Sequence, residues 1–242
     1  MKRNRTYGNL HWAFALLLFA CIAGCNTVNT PEFGGTVKDI DGNVYHTVTI
    51  GTQTWMIENL KTTRYSDSTD IAQVTDSAAW TKLKVPGYCW YNNDSSANKN
   101  VYGALYNWYA VNTGKLAPLG WHVPTEADWT LLENNVNDYL YTAGSLSKAL
   151  AAGSNWAKSV KPDAIGNNLA KNNSSGFNAL PGGLRDNKGF SFNSIGLTGI
   201  WWSSSVKSDT TSLSMMMNYD LNTVDRYYKK KWSGLSVRCI KD

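Results

Sequence analysis

The sequence predicts an α+β fold. Three observations carry that expectation. Alternating β-type segments stand at both ends of the chain, while helical spacing is confined to its middle. No linker-like stretch separates two apolar clusters, so one domain is expected. Finally, 11 Trp, 13 Tyr and 6 Phe stand beside 20 Gly and only 6 Pro, which favours turn-rich, partly β structure. Hydrophobic residues at 43% against charged residues at 17% exclude a disordered chain.

The elements follow in order. Val37, Ile40, Val44, Val48, Ile50, Trp55 and Ile57 are punctuated by Asp41-Gly42 and Gly51, the pattern of consecutive strands joined by tight turns. Residues 66–84 are polar and irregular, which predicts a surface excursion. Tyr88 to Asp94 is strand-like and then a polar loop. Leu105, Trp108 and Tyr109 fall on one helical face. Residues 120–123 form a short strand entering a helix at Pro124, where Thr125 and Asp128 make a capping-box pattern. Trp129, Leu132, Val136 and Leu140 then repeat at helical spacing. A second helix is expected over 146–152, and a loop rich in Asn, Ser and Lys over 153–176. The chain turns β again at 199–203, 213–218, 224–228 and 235–240.

The N-terminus is read as an export signal. Lys2, Arg3 and Arg5 precede an apolar run from Leu10 to Ala23, too short to span a bilayer. The ending Ile22-Ala23-Gly24-Cys25 resembles the bacterial lipobox. That resemblance implies cleavage before Cys25 and lipidation of Cys25, whose acyl chains anchor the protein to the membrane. The alternative is an ordinary secretory signal with an incidental cysteine. Asn26, not Asp, follows the lipidated position, which favours the outer membrane without saying which leaflet. The expected organisation is a signal peptide over 1–24, lipidated Cys25 and a tether over 25–35, and one domain over 36–242. Loss of 24 residues that carry three basic and no acidic side chains leaves 218 residues, and the net charge of +5 becomes +2. Nucleic acid is therefore not an expected partner.

Three blocks together carry a family resemblance. They are Gly120-Trp121-His122-Val123-Pro124-Thr125-Glu126-Ala127-Asp128-Trp129, then Leu180-Pro181-Gly182-Gly183-Leu184-Arg185-Asp186 leading to Trp201-Trp202-Ser203, and Leu235-Ser236-Val237-Arg238-Cys239-Ile240. With Tyr88 to Asp94 and Tyr102 to Trp108, they resemble the Fibrobacter succinogenes major paralogous domain over roughly 35–242. That family is similar in pattern to the formylglycine-generating sulfatase-modifying enzymes. The resemblance implies a C-type-lectin-like fold, with mixed or antiparallel sheets, two main helices, long non-regular loops, and both chain ends in one sheet.

The resembled enzymes use an active-site cysteine pair with metal. Here Cys89 and Cys239 stand far apart in different blocks, so that activity is not carried over, and neither a catalytic residue nor a cofactor is expected. In an oxidising envelope an even pair suggests a Cys89–Cys239 disulfide, with two buried free thiols as the alternative. His46 and His122 are expected to be packing or surface residues, since no metal-ligand spacing exists. Asp39, Asp41 and Asn43 hint at calcium, but a hairpin turn explains them better. The calcium triplets of sugar-binding lectins are absent. Aromatic stacking on a glycan remains, with Trp90, Tyr91, Trp201, Trp202 and Trp232 as candidates and Tyr227 and Tyr228 beside them. Trp201 and Trp202 alternate along a strand, so at least one belongs to the core. Lys229 to Lys231 are expected to guard an edge strand. The leading expectation is a non-catalytic envelope lipoprotein that binds a glycan or a protein. A structural envelope component and a divergent oxidative enzyme are the rivals.

Overall fold

The computed structural model describes Met1 and residues 31–139, 145–188 and 191–242. The rest of the expected signal segment, Cys25, most of the tether, and Leu140 lie outside the described residues.

The first strands follow the turn signals. β1 (Glu32–Lys38), β2 (Val44–Ile50) and β3 (Gln53–Met56) form an antiparallel meander. The Asp41-Gly42 turn closes with Gly42 N donating to Asp39 O at 3.0 Å. β1 begins earlier than the expected tether boundary at residue 35. Gly34 and Gly35 fall where the register shifts between Phe33 and Thr36, so these glycines form a bulge inside a strand, not a free linker. The sheet is completed by β6 (Trp121–His122) and by β12 (Ile240–Lys241), in the order β1-β2-β3-β12-β6. The C-terminal strand thus pairs with an N-terminal one.

Helix α4 (Glu126–Tyr139) starts as the sequence predicts. Asp128 Oδ2 accepts from Thr125 N at 2.8 Å and from Thr125 Oγ1 at 2.6 Å, while Asp128 N donates back to Thr125 Oγ1 at 3.2 Å. This reciprocal capping satisfies donors that the first turn leaves without partners. Trp129, Leu132 and Val136 are buried. Helix α5 (Leu146–Leu150) stops short of residue 152 because Ala152 N donates to Ala179 O and Ala179 N to Leu150 O, both at 2.8 Å.

Several short elements differ from the expectation. The excursion over 66–84 contains α1 (Ser77–Thr81), capped by Asp76 and holding fully buried Trp80. Asp94 caps α2 (Ser95–Asn98). Leu105 and Tyr106 form β5 (Leu105–Tyr106), paired with β4 (Tyr88–Cys89), and only α3 (Trp108–Val111) is helical. An Asn107 side chain that accepts from Ala110 N and from Gly87 N forces the change of conformation.

The C-terminal half builds a hairpin, β7 (Gly182–Arg185) and β8 (Phe192–Ile195), then a sheet of β9 (Thr198–Val206), β10 (Thr211–Asn218) and β11 (Asp225–Lys230). The order in this sheet is β11-β10-β9, so β11 is an edge. The expected strand over 235–240 is mostly irregular. Leu235 bridges Tyr106 and Ser236 bridges Trp201 before Ile240 joins the first sheet.

Two apolar clusters meet at β9. Trp202 and Ile200 pack with Tyr45, Met56, Tyr106, Trp108 and Val237. Trp201 packs instead with Trp55, Trp129, Phe177, Met215 and Met217. Successive residues of a strand face opposite ways, and here each face has a core of its own.

Candidate functional site

The aromatic candidates are mostly interior. Trp90 and Tyr91 are 4% and 6% exposed, and Trp201 and Trp202 are 1% and 0%. Their candidacy for stacking on a glycan is corrected: all four rings are buried, where core packing was expected for at least one of Trp201 and Trp202. Each indole of the Trp pair also spends its N–H internally, Trp201 on Asn59 Oδ1 and Trp202 on Tyr106 O, both at 2.8 Å. The fifth candidate differs. Trp232 is half-buried at the surface, its Nε1 donating to Asn187 O at 2.7 Å. Tyr227 and Tyr228 are exposed.

The expected disulfide is also corrected. Cys89 and Cys239 are free and buried. Cys89 sits with Trp80, Tyr91 and Leu105, and Cys239 lies in the cluster around Tyr45 and Val237. Separate clusters hold the two thiols apart. Burial pushes the Cys89 thiol up to about 12 and raises Cys239 as well, so neither is a ready nucleophile.

Among the described residues, His46 lies 2.7 Å from Glu58, and His122 lies 2.7 Å from Asp242 and 3.3 Å from Asp128, all at the surface. Asp39 and Asp41 are consumed by the fold. Asp39 accepts from Tyr45 Oη at 2.5 Å and from Asn43, and Asp41 accepts from Thr63 N and from Arg64 Nε at 2.6 Å. Among the described residues no group of three metal-ligating side chains converges.

Asn187, the residue that Trp232 bonds, lines a cleft of about 480 Å³ between the β7–β8 hairpin and the β9–β10–β11 sheet. Its floor is Thr198 and Ile200 from β9 with Met216 from β10. One wall is the hairpin, presenting Leu184, Asp186, Asn187, Asn193 and Ser194. The other is the end of β11, with Tyr228, Lys229 and Lys230, continuing to Ser233. The hairpin wall is held from behind by Arg185, which is fully buried. Its guanidinium donates to Val74 O at 2.7 Å and Thr75 O at 3.1 Å and lies 4.4 Å from the Trp80 ring and 5.0 Å from Phe192. Gly183, at φ +65, lets the two strands approach; a Cβ there would stand 2.5 Å from Asn193 O.

The polar groups of the cleft divide into committed and uncommitted. Asp186 accepts from Ser191 Oγ at 2.5 Å and from Lys188 N at 3.1 Å. The Lys230 ammonium lies 5.6 Å from the Trp232 ring and 3.5 Å from Thr210 Oγ1. Lys231, expected on the guarded edge, turns inward instead and rests 4.4 Å from the Trp108 ring. Lys229 is half-buried, and desolvation lowers its pKa below the ordinary lysine value. Chemically, a cleft of amides, hydroxyls, a carboxylate and ammonium groups near an anchored indole suits hydrogen bonding to a polyhydroxylated ligand.

Sequence reasoning missed the hairpin residues Asp186, Asn187 and Asn193. The available signal was Asp186-Asn187-Lys188-Gly189, a turn cluster between two strand-like runs.

A family model described as the Fibrobacter succinogenes major domain matches residues 48–241, well over half of the chain. No curated protein matches the chain, and no solved structure matches it.

Proposed function

The chain belongs to the Fibrobacter succinogenes major domain family, and from that premise we propose that it is a lipid-anchored envelope protein that binds a glycan without catalysis. The cleft between the β7–β8 hairpin and the β11 edge, with Trp232 beside it, is the observation that carries this reading. Asn187, Asn193 and Ser194 supply donors and acceptors, and the Trp232 indole, held by Asn187, supplies an apolar face on which a sugar ring stacks. A C-type-lectin-like arrangement is the finer fold that goes with it. Its support is the C-terminal strand pairing beside β3 and the large share of loop structure tied down by buried indoles.

The absence of catalysis is part of the proposal. Its support is that both thiols are buried and their ionisation is suppressed. An assembly component without a small ligand is the second reading; no feature of the cleft favours it. Lipid at Cys25, cleavage after Gly24 and an outer-membrane location rest on the N-terminal sequence. Labelling with a palmitate analogue is expected to disappear in Cys25→Ser, and persistence of label would sink the anchor. Glycan-array binding by the full-length protein, weakened about tenfold or more by Trp232→Ala, tests the cleft. Array binding unchanged in that variant would place the ligand elsewhere.

A further inference from the structure

We infer that the cleft selects a glycan bearing one negative charge per sugar, a uronic acid being the simplest, through the ammonium of Lys229. The inference rests on the glycan reading of the same cleft.

The argument begins with register. Lys229 pairs with Ser212, and Met216 on β10 pairs with Ile200 on β9. Ser212 and Met216 are an even number of residues apart, so Lys229, Met216 and Ile200 lie on one face of the sheet. Ile200 and Met216 are the cleft floor, and Lys229 is the cation standing at the end of that floor. Its neighbours do not neutralise it. Among the described residues the ammonium has no carboxylate partner, and its recorded contact is the Tyr227 ring at 5.7 Å. Lys230 is directed to Trp232 and Thr210, and Asp186 already accepts from Ser191 and Lys188 N. A half-buried, unpaired ammonium has lost part of its hydration without gaining an anion, and its lowered pKa reflects that loss. A carboxylate on a bound sugar restores the missing interaction. Its strength is greater than at an open surface, because the cleft walls exclude part of the water.

The charge count limits the ligand. Two ammonium groups, Lys229 and Lys230, and one carboxylate, Asp186, line the cleft, a net of one positive charge that suits a monoanionic group and opposes a doubly charged phosphate. Carboxylate and sulfate ester share that chemistry, and the test separates them.

The test is binding of the full-length protein, solubilised in detergent, to polygalacturonate, alginate and sulfated galactan fragments. Neutral galactan, mannan and chitin oligomers are run beside them at one fixed salt concentration. At least one acidic series is expected to bind about tenfold or more above every neutral one. Uronate binding identifies a carboxylate and sulfated-galactan binding a sulfate. Lys229→Gln is expected to abolish that preference, Lys229→Arg to retain it, and Lys38→Gln on β1 to change nothing. A matching thermal midpoint for wild type and Lys229→Gln guards against misfolding. Equal binding of neutral and acidic series, or an acidic preference that survives Lys229→Gln, overturns the role of Lys229 and leaves the glycan cleft standing. Binding of none of the panel overturns both readings.

Discussion

At the scale of single residues, burial decides more than residue type does. Cys89 and Cys239 have the sequence profile of a secreted disulfide, yet each thiol is enclosed in its own apolar cluster. Alkylation of the native protein is expected to leave both unmodified and to reach both in denaturant, with no cross-linked peptide in non-reducing maps. The same burial makes stability depend on alkaline pH. An unfolded thiol titrates near 9, whereas the folded Cys89 holds its proton to about 12. Between those values the unfolded chain binds fewer protons than the folded one, so stability is complete below about pH 9 and falls as pH rises. Each such group contributes a slope approaching about 1.4 kcal/mol per pH unit. Urea midpoints measured from pH 8 to 11 are expected to fall steadily above pH 9; a flat profile contradicts the buried thiols. Arg238 shows the polar counterpart. It is fully buried, donating to Phe177 O and to Asn59 Oδ1, the same oxygen that accepts from Trp201 Nε1. Arg238→Met would leave these acceptors short of donors. A loss of about 3 kcal/mol or more in equilibrium unfolding is expected.

At the scale of elements, local signals succeed where the chain satisfies its own backbone and fail where a distant partner does so. Helix α4 was legible because apolar spacing and the Thr125–Asp128 box agree, and its capping hydrogen bonds are made within a few residues of each other. Thr125→Ala is expected to cost about 1 kcal/mol, read as a lower unfolding midpoint. Residues 103–111 have comparable apolar spacing but become strand and then one helical turn. Tyr106 N donates to Leu235 O, a partner more than a hundred residues away, and Trp108 N donates to Lys231 O. A period of three to four residues cannot distinguish a short helix from an irregular segment plugged at intervals by aromatic rings. The β7–β8 hairpin is another such element. Gly183→Ala is expected to distort it, because φ +65 and the nearby Asn193 carbonyl leave no room for a methyl. The destabilisation should exceed about 1 kcal/mol, read as a lower unfolding midpoint.

At the scale of the whole molecule, β9 joins the two cores. Trp201 and Trp202 are adjacent in sequence and enclosed by different clusters. Truncation of either to Ala is expected to cost about 3–5 kcal/mol. If β9 couples the clusters, both variants unfold in one cooperative transition, and two separate transitions by fluorescence and circular dichroism would refute the coupling. The arrangement also explains why the adjacent Trp201 and Trp202 are not exposed. Two cores consume those rings, and the ring beside the cleft, Trp232, comes from the turn just after the β11 edge.

The α+β order, the Asp41–Gly42 turn, α4, the approximate C-terminal strands and the family were determined by the sequence itself, because periodicity, turn residues and caps act over a few neighbouring positions. Which tryptophans are plugs, that the two thiols stay apart, and that Asp186, Asn187 and Lys229 line one cleft were decided only by the tertiary structure. Those facts depend on which face of a strand meets a second core and on which remote carbonyl claims a donor. Neither is encoded within the reach of a local pattern.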